Sequence, residues 1–100
     1  MTREEFIEEY LPMVHGRMVE LSSTKGREYA GMEDTHANFR RLAERLDLEP
    51  RQVLMTYLAK HLDAIESWVR DGLTHSEEGI TGRIDDAILY LILLRAMTGN

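Results

Sequence analysis

The segment from Ile84 to Leu94 constrains the fold more than any other part of the chain. It is apolar at nearly every position, and its main interruption is the pair Asp85-Asp86. A helix of this composition is apolar around most of its circumference, so it has to be covered on most sides. The run is far shorter than the roughly 20 residues that a membrane-spanning helix requires. In a chain of 100 residues, we expect other helices and also a second subunit to provide the cover.

A further helix is predicted at the start of the chain. Thr2 and Glu5 form a capping-box pattern there, and Pro12 is expected to kink the helix or to begin its second half. Residues 22–26 are expected to end it, because small polar residues and glycine favour turns. This leaves Lys25 to Gly31 as an ordered loop or a short turn.

Two more helices follow, and each has a predicted start. Asp34 is expected to cap the second helix, and Pro50 suits the first turn of the third. The last helix is expected to run from Thr81 or Arg83 to Thr98 and to stop at Gly99. The positions expected to face inward are Ala37, Leu42, Ala43 and Leu46 in the second helix, and Leu54, Leu58, His61 or Leu62, Ile65, and Trp68 or Val69 in the third. No stretch alternates as a strand would, so residues 1–100 are predicted to form one all-α bundle of about four helices.

The charge balance excludes several classes of partner. A net charge of −6 opposes non-specific attraction to DNA, RNA and anionic membranes.

The chain has no cysteine, which excludes disulfides and thiolate metal sites. Its acidic start lacks the pattern of a signal peptide, so a cytoplasmic protein is expected.

Cations, aromatic rings and carboxylates recur along the chain in a set that suits a phosphate-bearing ligand. Cations would neutralise the phosphate, aromatic rings would stack on a base, and carboxylates would hold a metal ion. The chain has only two lysines, and both belong to this set. The candidate ligand-binding residues are Lys25, Arg27, Tyr29, Asn38, Phe39, Arg40, Lys60, His61, Arg83, Asp86 and Tyr90.

Each of these candidates also has a purely structural interpretation. Phe39 and His61 are equally suited to a helical core, and Lys25 to Tyr29 to a solvated connection between helices. Asp86 is expected to be buried, and its partner would then be Lys60 or an arginine on a neighbouring helix. Another possible site is a weak Mg²⁺ site formed by Asp63, Glu66 and Asp86, although carboxylates three residues apart are more often solvated surface.

Four short motifs resemble the MazG-like group of all-α nucleoside triphosphate pyrophosphatases, which includes phage-type dATP/dGTP pyrophosphohydrolases. They are Lys25-Gly-Arg-Glu-Tyr29, Asp34-x-x-x-Asn38-Phe39, Lys60-His61 and Asp86-Ala-Ile-Leu-Tyr90, within residues 24 to 97. The resemblance implies a homo-oligomeric bundle, Mg²⁺ held by carboxylates of two helices, and Lys60 beside the nucleotide phosphates.

The sequence departs from that family at the metal ligands. The family's Glu-x-x-Glu becomes at best Asp63-x-x-Glu66, and Arg83 stands where an acid would precede Asp86 by three residues. A cation there repels Mg²⁺ and attracts phosphate.

Three functions therefore stay open from the sequence. The first is binding or sequestration of a nucleotide or nucleotide-derived signal, such as a cyclic immune messenger captured by a phage anti-defence protein. The second is Mg²⁺-dependent pyrophosphohydrolysis of a nucleoside triphosphate, and the third is a non-catalytic structural or interaction role. The first two require Lys25, Lys60 and Asp86 to converge around one cavity.

Overall fold

All the regular structure in the described part of the chain is helical. The computed structural model describes residues 1–29, 34–73 and 79–99, with side chains for all of these except residues 25–29. The elements are α1 (Arg3–Glu5), a π-helical segment (Phe6–Tyr10), α2 (Leu11–Tyr29), α3 (Ala37–Leu46), α4 (Pro50–Asp71) and α5 (Gly79–Met97). The predicted all-α fold is thereby confirmed.

The first helix begins and changes pitch where the sequence indicated. Thr2 Oγ1 accepts a hydrogen bond of 3.0 Å from the Glu5 N–H, which confirms the predicted cap. The Leu11 N–H then donates to the Phe6 carbonyl, five residues back, so the chain passes through a π turn. Pro12 explains this turn, because it has no N–H to donate and its ring crowds the carbonyl four residues earlier.

The loop predicted to start at Lys25 is wrong for its first five residues, since α2 continues to Tyr29. Ser23 Oγ donates to the Val19 carbonyl at 2.9 Å, and Thr24 Oγ1 donates to the Glu20 carbonyl at 3.1 Å. These side chains bond back to the preceding turn, so they are accommodated within the helix and do not end it. Residues 30–33 lie outside the described residues.

The role predicted for Asp34 as a helix cap is also wrong. Its Oδ1 accepts from the His36 N–H at 2.9 Å, and its carbonyl accepts from the Ala37 N–H at 3.3 Å. Asp34 thus forms a turn in front of α3, and the helix begins only at Ala37.

The starts and stops of the last two helices follow the sequence more closely. α4 begins at Pro50 as predicted, and the Gln52 side chain accepts from the Glu49 N–H at 2.8 Å. α5 begins at Gly79, earlier than the predicted Thr81 or Arg83. It ends before Gly99, whose φ of 82° suits the left-handed turn that glycine favours, so the predicted stop is confirmed.

The core lies where α4 packs against α3 on one side and α5 on the other. Its buried residues are Phe39, Ala43, Val53, Leu54, Leu58, Ala87 and Leu89. The inward positions predicted for Leu46, Trp68 and Val69 are wrong, because all three are exposed near the C-terminal ends of their helices.

The first helix packs on α5 through part of its length only. Met18 is buried, and Arg17 Nε lies 3.3 Å from Asp85 Oδ2 on α5. Residues 1–13, which we call the N-terminal arm, are all exposed. In the described ranges, no helix is both long and apolar enough to cross a bilayer.

Candidate functional site

Four predicted side chains meet between α4 and α5, and we call them the polar cluster: His61, Arg83, Asp86 and Tyr90. The α5 members are spaced by three and four residues, which places them on one face of the helix. Arg83 Nη1 lies 3.3 Å from His61 Nδ1, and Asp86 Oδ2 lies 4.0 Å from the same nitrogen. The His61 and Tyr90 ring centroids are 5.5 Å apart. His61 therefore joins the two helices.

The polar cluster is largely withdrawn from water. The Asp86 side chain is 7% exposed and the His61 side chain 12%, whereas residue Leu62 is 38% exposed. The burial expected for Asp86 is thereby confirmed, and of the two predicted inward positions it is His61 that turns inward. A carboxylate so deeply buried is tolerated only beside cations or hydrogen-bond donors.

The hydrogen bond from Arg83 assigns a role to the His61 ring. A guanidinium has only donors, so Arg83 donates in this hydrogen bond and His61 Nδ1 accepts.

Tyr90 also belongs to a second group, the aromatic cluster of Phe39, Tyr57 and Tyr90. The Tyr57 and Tyr90 rings are stacked with centroids 6.2 Å apart and planes at 12°. Phe39 meets both rings edge-on, at 6.1 Å and 6.3 Å. Tyr57 is 39% exposed, so one partner of the stacked pair reaches the surface. The aromatic cluster thus connects the buried polar cluster to solvent.

Phe39 and its neighbours on α3 have structural partners. Phe39 is buried in the core, which confirms its structural interpretation. Arg40 forms an ion pair with Asp34, and the Arg41 guanidinium donates to Asn38 Oδ1. Asn38 and Arg40 therefore help to shape the start of α3.

The two lysines are not both brought to the polar cluster. Lys60 is exposed on α4, next to His61 in sequence but on the solvent side. The predicted side chains of Lys25, Arg27 and Tyr29 lie outside the described residues. The predicted convergence of Lys25, Lys60 and Asp86 therefore does not hold for Lys60. The cation placed at the cluster is Arg83, so a ligand site there depends on this arginine instead of the two lysines.

The three predicted Mg²⁺ ligands do not share one location. Asp63 and Glu66 are exposed on α4, whereas Asp86 is buried against α4 beside His61. Among the described residues, no group of three or more histidine, aspartate or glutamate side chains is arranged to hold a metal ion.

No protein family, curated protein or solved structure matches this chain. The resemblance to MazG-like pyrophosphatases therefore stays a prediction that depends on the four motifs quoted above. Any functional conclusion has to come from the geometry of the two clusters.

Tyr57 is the site residue that the sequence analysis missed. It stands four residues before His61, a spacing that places two side chains on the same face of a helix. This spacing is the sequence signal that could have identified Tyr57 as a site residue. An aromatic residue one turn from a predicted ligand-binding histidine belonged in the candidate set.

Proposed function

We propose that this protein binds a nucleotide or nucleotide-derived ligand in the cytoplasm, and that it does so without turning the ligand over. One observation carries the proposal. A half-buried guanidinium, that of Arg83, lies in the same cluster as a carboxylate and a histidine, and the histidine ring contacts Tyr90 of a stacked pair of tyrosines. A nucleotide offers a phosphate, hydrogen-bonding groups and a flat ring, which is the complementary set.

Three members of the two clusters have distinct parts in this binding. The planar guanidinium of Arg83 can direct two parallel N–H donors at phosphate oxygens. The partly exposed ring of Tyr57 offers a surface on which a base can stack, a contact worth about 1–3 kcal/mol per base. Asp86 lies one turn from Arg83 on α5 and accepts hydrogen bonds, which suits an amino or hydroxyl group of the ligand.

The position of Arg83 favours capture over hydrolysis. It precedes Asp86 by three residues, so a fixed positive charge stands beside the one buried carboxylate of the predicted metal set. Like charges a few ångströms apart repel strongly where water is excluded, which opposes a divalent ion at Asp86. We therefore propose sequestration, as by a phage anti-defence protein that removes a nucleotide messenger, ahead of a MazG-like pyrophosphohydrolase.

A melting screen tests the proposal directly. The panel comprises nucleoside mono-, di- and triphosphates together with cyclic mono- and dinucleotides, each with and without Mg²⁺. At least one member is expected to raise the melting temperature saturably, because a ligand at 100 times its Kd stabilises the folded state by about 2.7 kcal/mol. Chromatography of the same samples should recover the ligand intact.

Two matched arginine variants locate the site. Arg83→Gln is expected to abolish the ligand-induced shift, whereas Arg70→Gln on exposed α4 surface is expected to keep it. Circular dichroism of both variants checks that they are folded. If no nucleotide shifts the melting temperature, or if Arg83→Gln responds like the wild type, the proposal fails and a structural role is favoured. Mg²⁺-dependent release of pyrophosphate would instead establish the hydrolase.

A further inference from the structure

The N-terminal arm carries a row of large apolar side chains that the bundle does not cover: Phe6, Ile7, Tyr10, Leu11 and Met13. The row continues a packed face of α2. Leu11, Val14 and Met18 lie on one side of this helix at spacings of three and four residues. Met18 is 5% exposed against α5, Val14 is half-buried, and Leu11 is 48% exposed. The first helix therefore extends beyond the bundle, and the apolar face that packs at Met18 is exposed to solvent in the N-terminal arm.

The dimensions of the chain agree with a missing partner. A compact monomer of 11.6 kDa exposes about 5,800 Å². This chain exposes 7618 Å², and its radius of gyration is 15.2 Å, against about 13 Å for a typical 100-residue domain. The excess area is more than twice the roughly 800 Å² that each partner buries in a standard interface.

A second bare apolar row lies on α4, beside its buried face. Met55, Leu62 and Val69 are exposed and follow one another at intervals of seven residues, so they form a single stripe. Arg51 stands four residues before Met55 on the same side. From Met55 to Val69 the stripe is about 21 Å long, and the arm from Arg3 to Met13 is about 16 Å long. The stripe is long enough to receive the arm.

We propose that the N-terminal arm of each copy docks on the α4 stripe of a second copy, so that two chains exchange arms reciprocally. The arm is acidic, with four carboxylates at Glu4, Glu5, Glu8 and Glu9. Packing two arms against each other would bring eight carboxylates together, and an anionic membrane surface would repel the arm. The α4 stripe instead has the cation Arg51 at its start and one carboxylate, that of Glu66, between Leu62 and Val69, so it repels the arm less than a second arm would. The proposal is independent of nucleotide binding.

Three variants test the exchange by sedimentation velocity and light scattering. The wild type is expected at twice the chain mass of 11.6 kDa. Ile7→Asp with Leu11→Asp, and separately Met55→Asp with Val69→Asp, are expected to give monomers, since each change places charges in the proposed interface. Val19→Asp is the matched control, because Val19 is 54% exposed on α2 but lies outside the arm, and this variant is expected to stay dimeric.

Mixing the two double variants distinguishes arm exchange from other pairings. One variant keeps an intact stripe and the other an intact arm, so an equimolar mixture is expected to form a dimer, weaker than the wild type because one of two contacts remains. A mixture that stays monomeric would overturn the proposal. A Met55→Asp, Val69→Asp variant that stays dimeric by itself would mean that arms pair with arms, and an Ile7→Asp, Leu11→Asp variant that stays dimeric would mean that stripes pair with stripes. A monomeric or larger wild-type assembly, or dissociation by Val19→Asp, would equally overturn the proposal.

Discussion

Two adjacent aspartates on α5 have different environments. The Asp86 carboxylate is 7% exposed and lies beside His61 and Arg83. The Asp85 side chain is 14% exposed and faces Arg17 on α2, whose side chain is 48% exposed. The two aspartates are adjacent in sequence, but Asp86 contacts α4 and Asp85 contacts α2.

We predict that these two aspartates contribute unequally to stability. Asp86→Asn should lower the free energy of unfolding by about 1–3 kcal/mol, because it removes the charged acceptor from a buried hydrogen-bonded group. Asp85→Asn, the matched control, should cost less than about 1 kcal/mol, since an ion pair with an exposed partner is screened by water. Urea unfolding of both variants measures the difference. Equal losses in the free energy of unfolding would contradict the prediction that Asp86 contributes more to stability than Asp85.

Burial at the residue scale followed from helical spacing at several positions of α4 and α5. Leu54, Leu58 and Asp86 were predicted inside and are buried. The same spacing could not choose between His61 and Leu62, because either fits a periodic face. The choice was made by Arg83 on α5, which supplies His61 with a hydrogen bond, and spacing within one helix contains no information about that partner.

At the scale of elements, the two prolines of the chain have opposite effects on their helices. Pro50 occupies the first turn of α4, where no intrahelical N–H bond is lost. Pro12 follows the π-helical segment and interrupts a continuous helical stretch. The cost of proline therefore depends on where in the helix it stands.

We predict that Pro12→Ala stabilises the first helix. Restoring an N–H should allow the regular bonding pattern, with a gain of about 1–3 kcal/mol, since proline inside a helix is about 3 kcal/mol less favourable than alanine. Amide hydrogen exchange of residues 6–11 should slow, and far-ultraviolet circular dichroism should show more helix. Pro50→Ala serves as the control and should change the free energy of unfolding by less than about 1 kcal/mol. Unchanged exchange in Pro12→Ala would mean that another feature sets the π turn.

Signals at helix ends were reliable when a glycine or proline occupied a position that only it suits. Pro50 and Gly99 are examples, and both boundaries are confirmed. Ser23 and Thr24 misled because the same hydroxyls that favour turns can also bond back to the previous turn of a helix. Residue type alone does not say which of the two happens.

At the scale of the whole molecule, helix type and number could be derived from the sequence, whereas the neighbours of each functional side chain could not. The four members of the polar cluster were all in the predicted set, yet so was Lys60, which the fold turns toward solvent. Helical periodicity gives each residue an angle about its own axis. Periodicity does not say how two helices are rotated against each other. The distance from Lys60 to Asp86 could therefore not be predicted from the sequence.

The bare N-terminal arm also predicts how the whole molecule responds to its own concentration. If two chains exchange arms, folding is coupled to association, and the melting temperature must rise with protein concentration. A hundredfold increase should raise it by about 7 °C for a two-chain unit of this size. Differential scanning calorimetry across that range measures the shift. In the monomeric Ile7→Asp, Leu11→Asp variant the melting temperature should be lower and independent of concentration, and a wild-type melting temperature that did not move would contradict coupled folding and association.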